Sequence, residues 1–384
     1  MGLIFGMAEF DYIVVGAGFF GSTVAQKLAD KKKRVLIIDK RNHIAGNAYS
    51  YINSSSKIEI HKYGTHIFHT NVTPIWEYVN QFGQFNNYVH RVTTMSQGQR
   101  LPIPINFETL VAVLGKERAS DFAQKVETSV ATVKRSDSDN LKDWAISSVG
   151  PELYDRVIAG YTEKQWGLPP DLLPSSIISR LPIRTDLEDR YFTDRYQGVP
   201  LDGYEALVQN QLDSNYITLE LECDFLDIRQ QLNTNQYVIY TGPIDKFFSY
   251  QEGELGWRTL DFQVETLQCA DFQGCAVQNY ADLDVPYTRI HEFKYLNPER
   301  KIEGNETVIS REFSRFADKN DEPYYPINTV SDREKLLSYR ELARKERNYF
   351  FGGRLGSYKY LDMHMAIGQA LELISTFELD GHFE

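Results

Sequence analysis

The chain has 384 residues, 42% of them apolar and 13% aromatic, with a formal charge of −12. That length accommodates two or three domains around a large core, and the composition excludes a disordered chain. The acidic balance argues against a nucleic-acid binder, which needs a basic surface, but allows an anionic small molecule held by a few arginines.

The first segment, MGLIFGMAEF, lacks a basic region and a full apolar stretch, and is expected to be an untargeted extension. No apolar run approaches the roughly 20 residues needed to span a bilayer, so no membrane insertion is expected. Residues 11–15 (DYIVV) predict a short buried strand. Gly16-Ala17-Gly18-Phe19-Phe20-Gly21 follows, then a helix face marked by Val24, Ala25 and Leu28. A second strand, VLII at 35–38, ends at Asp39. In this order the pieces specify a dinucleotide loop. Gly16 allows the tight turn, Gly18 admits pyrophosphate, Gly21 lets helix and strand pack, and Asp39 accepts from a ribose. The continuation Arg41-x-x-x-Ala45-Gly46 is similar to the Arg-x-x-x-Gly-Gly of FAD proteins, with alanine replacing the first glycine.

Residues 106–182 predict helices. SDSDN supplies caps before LKDWAISSV, and Leu153, Val157 and Tyr161 repeat at i, i+4 and i+8. YTEKQWG (161–167) follows, where Trp166 serves either as a packing plug or as a ligand contact. Residues 183–330 are rich in strand patterns without intervening helices, which predicts an antiparallel sheet. Alternation there puts Arg289, His291, Phe293 and Tyr295 on one face. NYFFGGR (348–354) predicts a last strand. LDMHMAIGQALELISTF (361–377) predicts a last helix with its apolar face at Met365, Ala366, Gln369, Ala370, Leu373 and Ile374. Returned to the N-terminal sheet, these would make the cofactor domain discontinuous. Three cysteines, Cys223, Cys269 and Cys275, show neither zinc-ligand spacing nor a disulfide pattern, which points to a reducing cytoplasm. The residues by themselves specify an FAD protein with an anionic, nucleotide-like ligand. Arg180, Arg289 and Arg354 would suffice for its phosphates.

Beyond that point the chain resembles the bacterial UDP-galactopyranose mutase family, end to end. The stretches that carry the resemblance are GAGFFG, DKRNHIAGN, HKYGTHIFHT (61–70), YTEKQWG, RYQGVPLDGY (195–204), YTGPID (240–245), DVPYTRI (284–290), DEPYYPI (321–327) and GRLGSYKYLDM (353–363). The resemblance implies an α/β fold: an FAD-binding, Rossmann-like, two-dinucleotide-binding-domain flavoprotein with an inserted helical domain and an antiparallel sheet domain. The expected divisions are 1–85, 215–245 and 345–384 for FAD, 106–182 for the helical domain with its mobile substrate loop, and 86–105, 183–214 and 246–344 for the substrate sheet.

The activity implied is interconversion of UDP-galactopyranose and UDP-galactofuranose without net redox change. Reduced FAD N5 attacks the anomeric carbon, the ring opens and recloses, and UDP recaptures the sugar. Arg180 and Arg289 would clamp the diphosphate, with Tyr191, Tyr325 and Tyr360 hydrogen-bonding it. Tyr161 would stack on uracil beside Thr162 and Trp166, Asn279 would contact substrate, and His66 and His69 would lie against the isoalloxazine. The FAD set implied is Gly16, Gly18, Phe20, Gly21, Asp39, Lys40, Arg41, Gly46, Asn47, His66, Ile67, Phe225, Leu226, Arg354, Leu361, Asp362, Met363, His364, Met365 and Ala366. His90 stands where relatives often have Asn at a substrate contact, and Val157 and Ile158 replace aromatics. Retention of His66, where some relatives use Arg for N-acetylated sugars, favours plain galactose. A homodimer and a cytoplasmic location are expected. The competing reading on the same fold is an amine-oxidase-like FAD oxidase.

Overall fold

A computed structural model describes residues 9–128, 140–178, 182–231, 236–302 and 304–380. Its first sheet has five strands, all parallel. In spatial order they are Tyr349–Phe351, Tyr237–Tyr240, Tyr12–Val15, Val35–Ile38 and Ile217–Glu220. Every residue of YIVV and VLII is buried, as expected for strands covered on both faces. Alternation divides them between two cores. Tyr12, Val14, Val35 and Ile37 pack toward helices Phe19–Asp30 and Met363–Leu379. Ile13, Val15, Leu36 and Ile38 pack on Phe225, Tyr240 and Phe247. Each such side chain contributes roughly 1.5–3 kcal/mol of burial.

The last helix does return to this sheet, but its buried stripe is Ile367, Ala370, Ile374 and Phe377. Only Ala370 and Ile374 belong to the expected face, and Met365 is exposed. Helix Gly203–Gln211 falls in a stretch expected to join the substrate sheet. Instead its Tyr204, Leu207 and Val208 enter the core around Phe19 and Val24. Helix Val330–Ala343 likewise interrupts the expected sheet segment. It is closed by a Thr329/Asp332 capping box and packs Leu336 and Tyr339 against Ile244, Leu255 and Trp257.

The second sheet has seven strands, ordered Tyr325–Pro326, Trp257–Leu267, Thr307–Phe316, Arg289–Glu292, Val277–Tyr280, Val92–Ser96 and Gln99–Ile103. All neighbours are antiparallel except Val277–Tyr280 and Val92–Ser96, which run parallel. The expectation of a purely antiparallel sheet is corrected at that pair. Its two strands are joined through the whole helical region, and a long crossover permits the parallel sense. The expected alternating face stops at His291, because Phe293–Leu296 turns into a 3-10 helix.

Helices Phe107–Leu114, Lys116–Thr128 and Leu141–Val149 form the third unit. Asn106 and Asn140 cap the first and third by accepting from the Thr109 and Asp143 amides. A further helical run then passes through a π-helical turn, Tyr154–Ala159, into Gly160–Trp166. That wide turn breaks the plain i+4 repeat: Val157 and Ile158 are both buried and Tyr161 is turned toward a cavity. Among the described residues no helix is long and apolar enough to cross a membrane.

Candidate functional site

Two adjoining cavities lie between these units. The first begins where strand Tyr12–Val15 ends. A methyl group on Gly21 would sit 2.0 Å from the Gly16 carbonyl oxygen, so only glycine lets the helix start this close to the strand. Helix Phe19–Asp30 has no side-chain N-cap bond, which leaves its first amides for an anion. Asp39 is buried and accepts from the Ala17 amide at 2.8 Å and the Arg41 amide at 2.9 Å. These bonds hold its carboxylate beside the loop with lone pairs left for hydroxyl donors. Ala45 takes a left-handed backbone (φ 67°) and tolerates its methyl, whereas Gly46 approaches Gly18 so closely that a Cβ would stand 3.1 Å from the Gly18 Cα. The departure from the double glycine therefore falls at the position that can bear it.

Phe20, Lys40, Asn47, Phe225, Leu226, Arg354, Leu361, Met363 and Ala366 complete the lining expected from the sequence. Lys40 and Arg41 also lie there, but both are tied to Glu322, at 2.6 and 2.8 Å, and Arg41 covers the Tyr63 ring. These residues fit a dinucleotide whose pyrophosphate meets the Gly16–Gly21 turn.

The second cavity has a volume of about 900 Å³. His66, Arg354, Leu361 and Met363 line both cavities. Arg354 is held by the carbonyls of Leu361 (2.7 Å) and Tyr324 (3.4 Å), pairs with no carboxylate among the described residues, and lies over the Tyr360 ring. Its charge is thus available to an anion at the junction. The His66 Nδ1 lies 2.8 Å from the Gly64 carbonyl oxygen, so Nδ1 carries the proton and Nε2 remains an acceptor. Burial pulls this imidazole down to about 4.

His90, Tyr161, Thr162, Trp166, Tyr191, Asn279, Arg289, Tyr325 and Tyr360, and also His69, line the second cavity. Arg289 donates to the Tyr161 hydroxyl and pairs with Glu312 at 3.2 Å. Burial opposes the charge on Arg289, but the Glu312 carboxylate overrides it and holds the guanidinium well above its usual range. Glu312 also accepts from His291 Nε2 (3.1 Å) and from Thr288 (3.1 Å). The far nitrogen of His291 meets Thr65 Oγ1 at 2.8 Å. Burial lowers His90 to about 3, with Arg289 adding to the effect, and lifts Tyr161 to about 12. The Asn279 Oδ1 is buried without a hydrogen-bond partner among the described residues, an acceptor awaiting a donor. His69 stacks on Phe192 at 3.7 Å, and its Nδ1 is 2.6 Å from Asp194.

Several expected positions fall elsewhere. Arg180 lies outside the described residues. Ile67, Asp362 and Met365 line the second cavity rather than the first. His364 lines neither and stands edge-on to His69 at 5.1 Å. Sequence reasoning put His291 on the Arg289 face but gave it no role, and missed Glu312 and Thr65. Those two come from a separate strand and a loop, and no local spacing joins them to Arg289.

Residues 156–360 match the family described as UDP-galactopyranose mutase, and residues 14–82 match the NAD(P)-binding Rossmann-like domain. A Klebsiella pneumoniae protein named "Probable UDP-galactopyranose mutase" is 41% identical, over 95% of this chain and 94% of its own. The dTDP-fucopyranose mutase of Escherichia coli is 38% identical, over 95% and 97%. The crystal structure of reduced UDP-galactopyranose mutase superposes with a TM-score of 0.75 at 13% identity, covering 97% of this chain and 94% of that one. A whole-length match of this kind, on a chain whose dinucleotide loop opens beside an arginine–tyrosine cavity, settles the kinship: the chain belongs to the UDP-galactopyranose mutase family.

Proposed function

We propose that this chain interconverts UDP-galactopyranose and UDP-galactofuranose, with FAD bound in the first cavity and active only when reduced. The observation that carries this reading is the wall of His66, Arg354, Leu361 and Met363 shared by the two cavities. It would let a cofactor ring and a sugar lie side by side. When bound and reduced, the flavin supplies an electron-rich nitrogen that serves as nucleophile toward the anomeric carbon, so no net oxidation is needed.

The remaining work falls to the chain. Arg289, kept charged by Glu312, faces the cavity with Tyr161, Tyr325 and Tyr360 and stabilises the diphosphate as it departs. The same grip keeps the leaving group in place for recapture. Arg354 adds positive charge at the junction, where a reduced ring or a phosphate would carry negative charge. His66, neutral and proton-bearing at Nδ1, presents Nε2 as an acceptor for a sugar or flavin donor. Asn279 offers its unpaired oxygen to a substrate hydroxyl or amide. Cytoplasmic residence belongs to the same proposal and is supported by three free cysteines; so does a homodimer, which rests on the family resemblance.

The test is conversion of UDP-galactofuranose before and after dithionite. Turnover is expected only in reduced protein, with no stoichiometric consumption of reductant. Equal turnover by oxidised protein, or none by reduced protein, overturns the reading. A parallel assay with dTDP-fucopyranose, the sugar named for the Escherichia coli relative, reports the nucleotide preference.

A further inference from the structure

Helix Gly160–Trp166 carries Tyr161, Thr162 and Trp166, while strands Val277–Tyr280 and Arg289–Glu292 carry Asn279 and Arg289. The two sets belong to different units and meet at the Arg289–Tyr161 hydrogen bond, and that reach has to be held from outside the cavity. The loop that joins the two strands, residues 281–288, makes the contact. At Gly160 a Cβ would stand 2.2 Å from the Ala281 carbonyl oxygen, so the helix rests directly on the loop. One turn further, the Lys164 ammonium donates to three carbonyl oxygens of the same loop: Asp282 at 2.7 Å, Val285 at 2.9 Å and Tyr287 at 3.1 Å. Three donors meet three acceptors, and no carboxylate is needed. On the helix's other side Arg258 donates to the Gln165 and Lys164 carbonyls.

We infer that Lys164 is a positioning residue: its three-pronged contact sets Tyr161 and Trp166 at the correct reach from Arg289 and Asn279, and so sets affinity for the nucleoside diphosphate half of the substrate. The inference rests on the function proposed above. The charged groups facing this ammonium are Asp282 and Asp284 on the loop, with the Arg258 guanidinium at Lys164's own carbonyl. Burial brings the amine down to about 8, the two aspartates opposing that fall. Above that pH it has only two protons for three carbonyls, and the grip weakens.

The test measures UDP affinity and KM against kcat from pH 7 to 9.5 in flavin-loaded native protein, Lys164→Met and Lys164→Arg. Lys164→Met is expected to raise KM and the UDP dissociation constant about tenfold while kcat stays within about twofold, the signature of lost uniform binding. In native protein KM is expected to climb above pH about 8. That climb is expected to be absent in both variants, since neither methionine nor arginine titrates there. An alkaline climb surviving in Lys164→Arg overturns the inference, even if Lys164→Met does not fold. Native binding of UDP with an unmoved Lys164→Met also overturns it. Failure of native protein to bind UDP overturns the function proposal, and this inference with it.

Discussion

At the scale of single residues, the arginine that lines the second cavity with Tyr161 is paired with one buried carboxylate. Glu312 is 2% exposed and Arg289 is its cationic partner. Removing one member of a buried pair strands the other, which typically costs about 3–5 kcal/mol. Arg289→Ala is therefore expected to lose turnover below detection and to lower stability by about that amount. Flavin retention is expected to persist, because Arg289 does not line the first cavity. Denaturant unfolding and the visible spectrum of the same sample check both points; loss of flavin would relocate Arg289 to a structural role. Arg289→Lys keeps a charge opposite Glu312 but lacks the planar fork, so it should recover stability ahead of activity. Arg289 was legible in the sequence as a cation in a β-pattern among aromatics. Glu312 was not, because the register that puts it opposite Arg289 is a property of the sheet.

At the scale of elements, the first cavity was legible because its determinants are contiguous. Strand, glycines, helix, second strand and acid follow within residues 12–39, and each is fixed by its neighbours in the chain. The prediction that belongs here is Gly21→Ala. Its methyl would overlap the Gly16 carbonyl oxygen at 2.0 Å, and that atom is backbone. Helix and strand must separate, and the amides at the helix start lose their aim. Purified Gly21→Ala protein is expected to carry less than about a tenth of the native flavin per chain, read from its absorbance. Full loading would show that the helix start is not the phosphate site. The second sheet was less legible, because pairing between strands distant in sequence leaves no local signal. The parallel contact of Val277–Tyr280 with Val92–Ser96 is one case. Helix Val330–Ala343 is a different kind of miss, since its capping box is local but lay in a segment assigned to the substrate-sheet domain with no helix expected.

At the scale of the whole molecule, the site is built around imidazoles held neutral by burial, and that ties stability to pH. His66 is lowered to about 4 and His90 to about 3, each chiefly by desolvation, and His61 and His291 shift the same way. Once the pH falls below the unfolded value near 6.5, the unfolded chain takes up protons that the native state refuses. Stability therefore falls with pH from there toward the folded values. Each such histidine contributes a slope of about 1.4 kcal/mol per pH unit. Glu312, depressed by Arg289 against its own desolvation, adds its loss only at lower pH, below the ordinary carboxylate range. Glu59 and Asp245, raised by burial, act in the opposite sense. Between pH 6.5 and 5.5 the lowered histidines pull stability down as the pH falls. Denaturant unfolding of flavin-loaded protein should show stability dropping across that unit, with His66 and His90 together supplying about 2 kcal/mol. His66→Gln and His90→Asn cannot titrate, so each is expected to flatten the slope by about half of that share. A slope unchanged in both variants would mean that these rings titrate in the folded protein as they do in the unfolded chain. The neutral Nε2 acceptor assigned to His66 would then be lost below about pH 6.5.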